Sequence, residues 1–174
     1  MKYEIKTQRL ILRPLDVTDV DTVHEYASDR ENTAFMQWLP NVTKEETLAF
    51  LQEVTAEWHK ALPQFYEFAI TRNGRQIGAV SVALDESRTV GELGWIIHQN
   101  WQKQGYALEA AQAVQAFAIQ QLKVKKLMAT CDARNRASYA LMEKLGMQRE
   151  PEVRLRKYHK RDEVGEELTY SMSC

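Results

Sequence analysis

The stretch of this chain best equipped for chemistry is Gln102-Lys103-Gln104-Gly105-Tyr106-Ala107, between an apolar segment and a long alanine-rich run. The first backbone N–H groups of a helix have no acceptor within it and sit at its positive end. A glycine turn just before them can wrap a diphosphate with main-chain donors. Gly105 supplies the turn, and small Ala107 keeps the approach open. A second turn-and-helix unit follows at Asn135-Arg136-Ala137-Ser138, leading into Leu141-Met142-Glu143-Lys144-Leu145-Gly146-Met147. Other chemistries find less support. His24, His59, His98 and His159 are scattered without ligand spacing, so no metal is expected. Cys131 and Cys174 form neither a disulfide framework nor a CxxC site. The Gly-x-x-x-x-Gly-Lys-Ser/Thr nucleotide pattern is absent.

The flanking periodicity predicts the elements that hold these turns. Residues 9–13 alternate like a half-buried strand, and 18–29 put Val20, Val23, Tyr26 and Ala27 on one helical face. A loop over 30–42 carries Phe35, Met36, Trp38, Leu39 and Pro40, more apolar matter than a solvated connection usually holds. Thr43-Lys44-Glu45-Glu46 has capping-box spacing, with Leu48, Leu51, Val54, Trp58 and Leu62 following at helical period. Strands over 66–71 and 76–83 flank Asn73-Gly74, a two-residue hairpin turn, and a further turn near 85–88 leads into a strand over 90–98. A helix from Ala107 to Leu122, a strand over 126–131, a helix over 136–145 stopped by Gly146, and strand-like pieces over 153–158 and 167–172 complete the chain. The order is β-α-α-β-β-β-α-β-α-β-β. It implies a single α/β (α+β) domain over 1–174 with a mixed, mostly antiparallel sheet and helices on both faces.

Composition narrows the partners. Twenty-three basic residues against twenty-four acidic ones leave a formal charge of −1, which supplies no global field for nucleic acid or anionic membranes. No apolar run approaches the ~20 residues that span a bilayer, and residues 1–6 lack a secretory leader's apolar centre, so the expected compartment is the cytoplasm. The basic run 154–161 reads as a solvated hairpin, because Asp162, Glu163, Glu166 and Glu167 cancel its field. Guidance of an acidic partner is the other reading.

Four stretches together resemble the GNAT superfamily of acyl-CoA N-acyltransferases, in the branch of bacterial enzymes that acetylate the N-termini of ribosomal proteins. They are Thr7-Gln8-Arg9-Leu10-Ile11-Leu12-Arg13-Pro14, Gly91-Glu92-Leu93-Gly94-Trp95, residues 101–111 and residues 135–147. The resemblance implies the GNAT fold, acetyl-CoA as acetyl donor with no metal, and a primary amine as acceptor. That acceptor is a protein N-terminus or a small molecule, met by a monomer or homodimer. In this family a bulge splays the central strand from its neighbour, and the pantetheine arm lies in the cleft. Backbone groups around Ile96, Ile97 and His98 would hold the arm, those of Gln102, Lys103, Gln104, Gly105, Tyr106 and Ala107 the diphosphate. Asn135, which also reads as a helix N-cap, would touch the arm.

Acetyl transfer from a thioester to an amine needs a neutral amine, charge stabilisation for an oxyanion, and a proton for the leaving thiolate. Under the resemblance Glu92 is the expected base, directly or through water. Strand alternation sets it beside Gly94 and Ile96, opposite Leu93, Trp95 and Ile97. The alternative is a solvent-facing or ion-paired carboxylate. A backbone N–H near Ile97 would serve the oxyanion. Many relatives return the proton from a tyrosine in the helix after the Asn, but that slot holds Met142. Ser138, on the inward stripe with Leu141 and Leu145, is the expected donor, ahead of adjacent Tyr139. A non-catalytic acetyl-CoA-binding module is the competing function.

Overall fold

A computed structural model describes residues 3–174. Met1 and Lys2, part of the stretch read above for a leader, lie outside them. The chain runs β1 (Ile5–Lys6), β2 (Ile11–Pro14), α1 (Val20–Ala27), α2 (Lys44–Trp58), β3 (Phe65–Arg72), β4 (Arg75–Leu84) and β5 (Val90–Ile97). It continues α3 (Tyr106–Gln120), β6 (Lys126–Asp132), α4 (Arg136–Lys144), β7 (Gln148–Lys157) and β8 (Val164–Ser173). This is the expected order with a two-residue strand added at the start. The eight strands form one sheet in the order β1-β2-β3-β4-β5-β6-β8-β7. Among the described residues each neighbouring pair is antiparallel except β5–β6.

Helices cover both faces. Ala110, Ala111, Val114 and Phe117 of α3 join Leu141, Met142 and Leu145 of α4 in one apolar cluster against the sheet. The alanines of α3 keep it close: Ala110, Ala111 and Ala118 are fully buried. Val23, Tyr26 and Ala27 of α1 with Leu51 and Val54 of α2 form a second cluster on the opposite face, against Ala69, Ala79 and Ile96.

Local signals explain most boundaries. Asn73 and Gly74 take φ of 49° and 80°, the left-handed pair that a two-residue hairpin needs. Thr43 accepts from the Glu46 N–H, and Glu46 accepts from the Val42 N–H. The helix so started ends at Trp58 and not near Leu62, which is 70% exposed beyond it. The strand expected over 153–158 begins five residues earlier, at Gln148. Its outer side is a sheet edge lined with charge, so a buried-strand pattern never develops there.

The feature that positions the site is a parting of the two parallel strands. β5 and β6 pair only at Val90↔Lys126, Gly91↔Leu127 and Glu92↔Met128. Beyond Glu92 they separate, while β6 continues against β8 as far as Asp132↔Glu167. The expected bulge is not what splays β5, because its ladder with β4 runs from Leu84↔Gly91 to Gly78↔Ile97 without a register shift. The gap opens towards the C-terminal ends of both strands, where α3 and α4 begin.

Candidate functional site

The mouth of α3 is built from unused backbone donors. Gly105 caps the helix in the left-handed region at φ 81°, and Lys103 is also left-handed at φ 60°. Such reversals turn successive N–H groups towards one side, forming an anion nest. The first N–H of the region to find an acceptor is that of Glu109, on the Gly105 carbonyl at 3.1 Å. Among the described residues the six amides from Lys103 to Leu108 have no acceptor in the chain. Lys103, Gln104, Gly105, Tyr106 and Ala107, the residues expected to hold a diphosphate, have free amides, as does Leu108. Gln102 is different: its N–H donates to the Gln99 carbonyl at 3.4 Å, and its side chain donates to the Ile97 carbonyl at 3.0 Å and Asn32 Oδ1 at 2.7 Å. It fastens the end of β5 to the 30–42 loop.

Along β5 the free backbone groups follow from the antiparallel register. The His98 N–H donates to the Ile77 carbonyl at 2.9 Å, so even-numbered residues turn their main-chain groups to β4 and odd-numbered ones towards β6. Past the parting at Glu92, Trp95 and Ile97 face the gap. This corrects the expectation for Ile96 and His98. Ile96 pairs with Ala79, and both main-chain groups of His98 are used, its carbonyl by the Trp101 N–H at 2.8 Å. The buried His98 ring accepts from the Asn100 N–H at 3.1 Å and lies 3.2 Å from Glu25.

Glu92 sits at the last paired position before the strands part. Its side chain shares a face with Gly94 and Ile96, the face that α1 and α2 cover. The tip is exposed, and Thr130 Oγ1 donates to it at 3.4 Å. Partial desolvation by the surrounding protein raises its pKa above the ordinary carboxylate range; the Thr130 hydroxyl and Arg156 pull the other way, while Glu167 adds to the rise. Burial also pushes the Cys131 thiol up to about 11, which leaves it an inert packing group.

Across the gap, Asn135 accepts from the Ser138 N–H at 3.2 Å and so caps α4 as its type predicts. Ser138 is half-buried, and its hydroxyl has no partner among the described residues. Met142 is 1% exposed, a core residue. Tyr139 stacks parallel to Tyr170 with ring centroids 6.4 Å apart.

The remaining wall brings the aromatic-rich 30–42 loop against the end of the chain. The β7–β8 hairpin folds towards the 30–42 loop, and its basic run is not simply solvated. Arg156 is buried and donates to Glu167 at 2.8 Å and to the Phe35 carbonyl at 2.9 Å. Arg161 donates to the Ala34 carbonyl and lies 4.0 Å over the Tyr158 ring. His159 stacks on Trp38 at 3.6 Å. Asp132, fully buried, accepts from the Arg134 N–H, Nε and Nη2 at 2.8 to 2.9 Å and from the Tyr158 hydroxyl. Those bonds hold its carboxyl far below its usual range. Arg134 Nε and Nη2 are engaged by Asp132 and Glu163. Among the described residues no cluster of His, Cys, Asp or Glu could hold a metal ion.

Comparisons with known proteins bear on the family and the fold. Residues 9–148 fit the family model described as an acetyltransferase (GNAT) domain. The uncharacterized N-acetyltransferase YnaD of Bacillus subtilis is 30% identical over 148 residues, covering 84% of this chain and 83% of its own. The crystal structure of an acetyltransferase (GNAT family) from Bacillus anthracis superposes with a TM-score of 0.82 at 26% identity, covering 98% of both chains. RimL, a ribosomal L7/L12 alpha-N-protein acetyltransferase solved in complex with coenzyme A, shares the fold at a TM-score of 0.83 and 15% identity, over 98% of both chains.

Proposed function

Since the chain belongs to the GNAT acetyltransferase family and is an N-acetyltransferase, we propose that it moves acetyl from acetyl-CoA directly to a primary amine, with both substrates bound together. The observation that carries the reading is the run of six acceptor-free amides at Lys103–Leu108, beside two parallel strands that part at Glu92. A diphosphate suits those amides. A pantetheine arm with its own amides suits the main-chain groups of Trp95, as an added strand would; the Ile97 carbonyl already accepts from Gln102. RimL, a protein of the same fold, was solved holding coenzyme A.

Bound there, acetyl-CoA supplies the activated acetyl group. The chain's residues do the rest. Glu92, with its raised pKa and open tip, takes a proton from the arriving ammonium directly or through one water. The Ile97 N–H, facing the gap, offers a fixed dipole to the charge that develops on the carbonyl oxygen. Ser138, with its hydroxyl unspent, offers a proton to the departing sulfur. Cys131, with its raised pKa, takes no acyl group. The acceptor enters from the face with Glu92, Gly94 and Ile96, walled by the 30–42 loop and the β7–β8 hairpin. The stacked Trp38–His159 pair suits a peptide N-terminus.

A thiol-release assay tests this, using acetyl-CoA with peptides of varied N-termini and a panel of small amines. Turnover is expected with at least one peptide, and at neutral pH Glu92→Gln is expected to lower its kcat/KM about a hundredfold. Coenzyme binding with no turnover on any amine, together with indifference to that substitution, would overturn it.

A further inference from the structure

The cradle does not stand alone. Glu109, in the first turn of α3, suits the positive end of the helix dipole, but its charge lies one helical turn from amides read as an anion site and would oppose a phosphate bound there. The turn between β1 and β2 reaches across about 100 residues of sequence to meet it. Thr7 Oγ1 donates to Glu109 Oε1 at 2.6 Å, the Arg9 N–H donates to the same oxygen at 2.8 Å, and Arg9 Nε donates to Oε2 at 2.6 Å. Arg9 also donates Nη1 to the Gln104 carbonyl at 2.9 Å, inside the cradle loop itself. Its guanidinium lies 4.5 Å over the Tyr106 ring, which Arg72 approaches at 5.4 Å. A Cβ built on Gly105 would come within 3.3 Å of Arg9 Nη2, so the guanidinium runs directly along the glycine turn.

We propose that Arg9, seated by Thr7, is a positioning residue for coenzyme A: it cancels the Glu109 charge at the mouth of α3 and holds the diphosphate loop in its donor-outward shape through Gln104. The proposal rests on the coenzyme reading above. The geometry separates two duties. Charge cancellation needs any cation, whereas holding both Glu109 and Gln104 needs the planar fork of arginine. With Arg9 removed, Glu109 becomes an unpaired carboxylate beside the bound phosphates, and the loop loses its strut.

Calorimetry with coenzyme A, at low and at raised salt, tests this on the full chain as wild type, Arg9→Met, Arg9→Lys, Glu109→Gln and the Arg9→Met/Glu109→Gln pair. Arg9→Met is expected to weaken binding about tenfold, less at high salt. Arg9→Lys should fall between, and the double variant should recover part of the loss. In turnover the defect should appear in the KM for acetyl-CoA and not in kcat. A merely structural Arg9 would instead lower thermal stability without this split and without rescue by Glu109→Gln. Wild-type affinity in both Arg9 variants overturns the proposal alone. Absence of binding by the wild type overturns the coenzyme reading beneath it. Should Arg9→Met fail to fold, Arg9→Lys carries the test, and undiminished affinity there overturns the fork's role.

Discussion

The two sides of the gap are made from different materials. On the side proposed for the coenzyme the free donors are main-chain amides from one continuous segment, 103–108, aimed by a left-handed glycine and the start of a helix. The side proposed for the acceptor is built from side chains on β5, β6 and the β7–β8 hairpin: Glu92 and Thr130 at the gap, backed by buried Asp132 and Arg156 with Glu167 and the Phe35 carbonyl. Backbone donors depend on local conformation, which a glycine fixes. Side-chain constellations depend on which strands become neighbours, so they can vary with the acceptor while the coenzyme side stays the same.

If the halves are separable in this way, substitutions should fall on one side or the other. The largest effect is expected from Glu92→Gln, which should lower kcat/KM about a hundredfold at neutral pH while leaving coenzyme affinity unchanged. Because burial raises the Glu92 pKa, wild-type activity should climb with pH as that carboxyl ionises; the deficit of the variant should shrink at high pH, where the amine loses its proton unaided. A parallel loss of coenzyme affinity would break the comparison.

Asp132→Asn comes next. The carboxylate is buried under Arg134 and Tyr158, and replacing it should cost about 2–3 kcal/mol of stability, read by chemical denaturation at neutral pH. The sign of its pH dependence follows from a pKa held down in the folded state. The contribution is present above the unfolded carboxyl value and fades in acid, so wild type and variant should converge as pH falls.

Glu67 sharpens the contrast from a third place. It lies on β3 opposite Ser81, buried, with its carboxyl pushed up to about 8 by desolvation. The folded state holds this proton over a range where the unfolded chain has released it, so wild-type stability should decline as pH rises from about 4.5 to about 8. Glu67→Gln should remove that decline and be more stable than wild type at pH 8, with little change at pH 4, read by chemical denaturation. An unaltered slope of stability against pH would assign the decline elsewhere.

The smallest effect is expected on the coenzyme side. Gly105→Ala forces a Cβ into the left-handed region and against Arg9, costing about 1 kcal/mol, or roughly fivefold in coenzyme affinity by calorimetry. Acceptor KM should not move.

Much of this molecule follows from short-range information in its sequence. Asn73-Gly74 dictates a hairpin, Thr43 and Glu46 start a helix, and Gly105 before an alanine-rich stretch opens a helix with free amides at its mouth, because each is decided within a turn or two of chain. Periodicity likewise orders the strands and helices. The tertiary structure alone decided where β5 and β6 part, and with it that Trp95 and Ile97, not Ile96 and His98, turn their main-chain groups to the gap. It also turned Arg156 inward onto the Phe35 carbonyl, brought Arg134 to Glu163, and brought Arg9 to Glu109. Those pairings join segments far apart along the chain, and a local pattern carries no record of which distant charge will be its neighbour once the sheet has assembled.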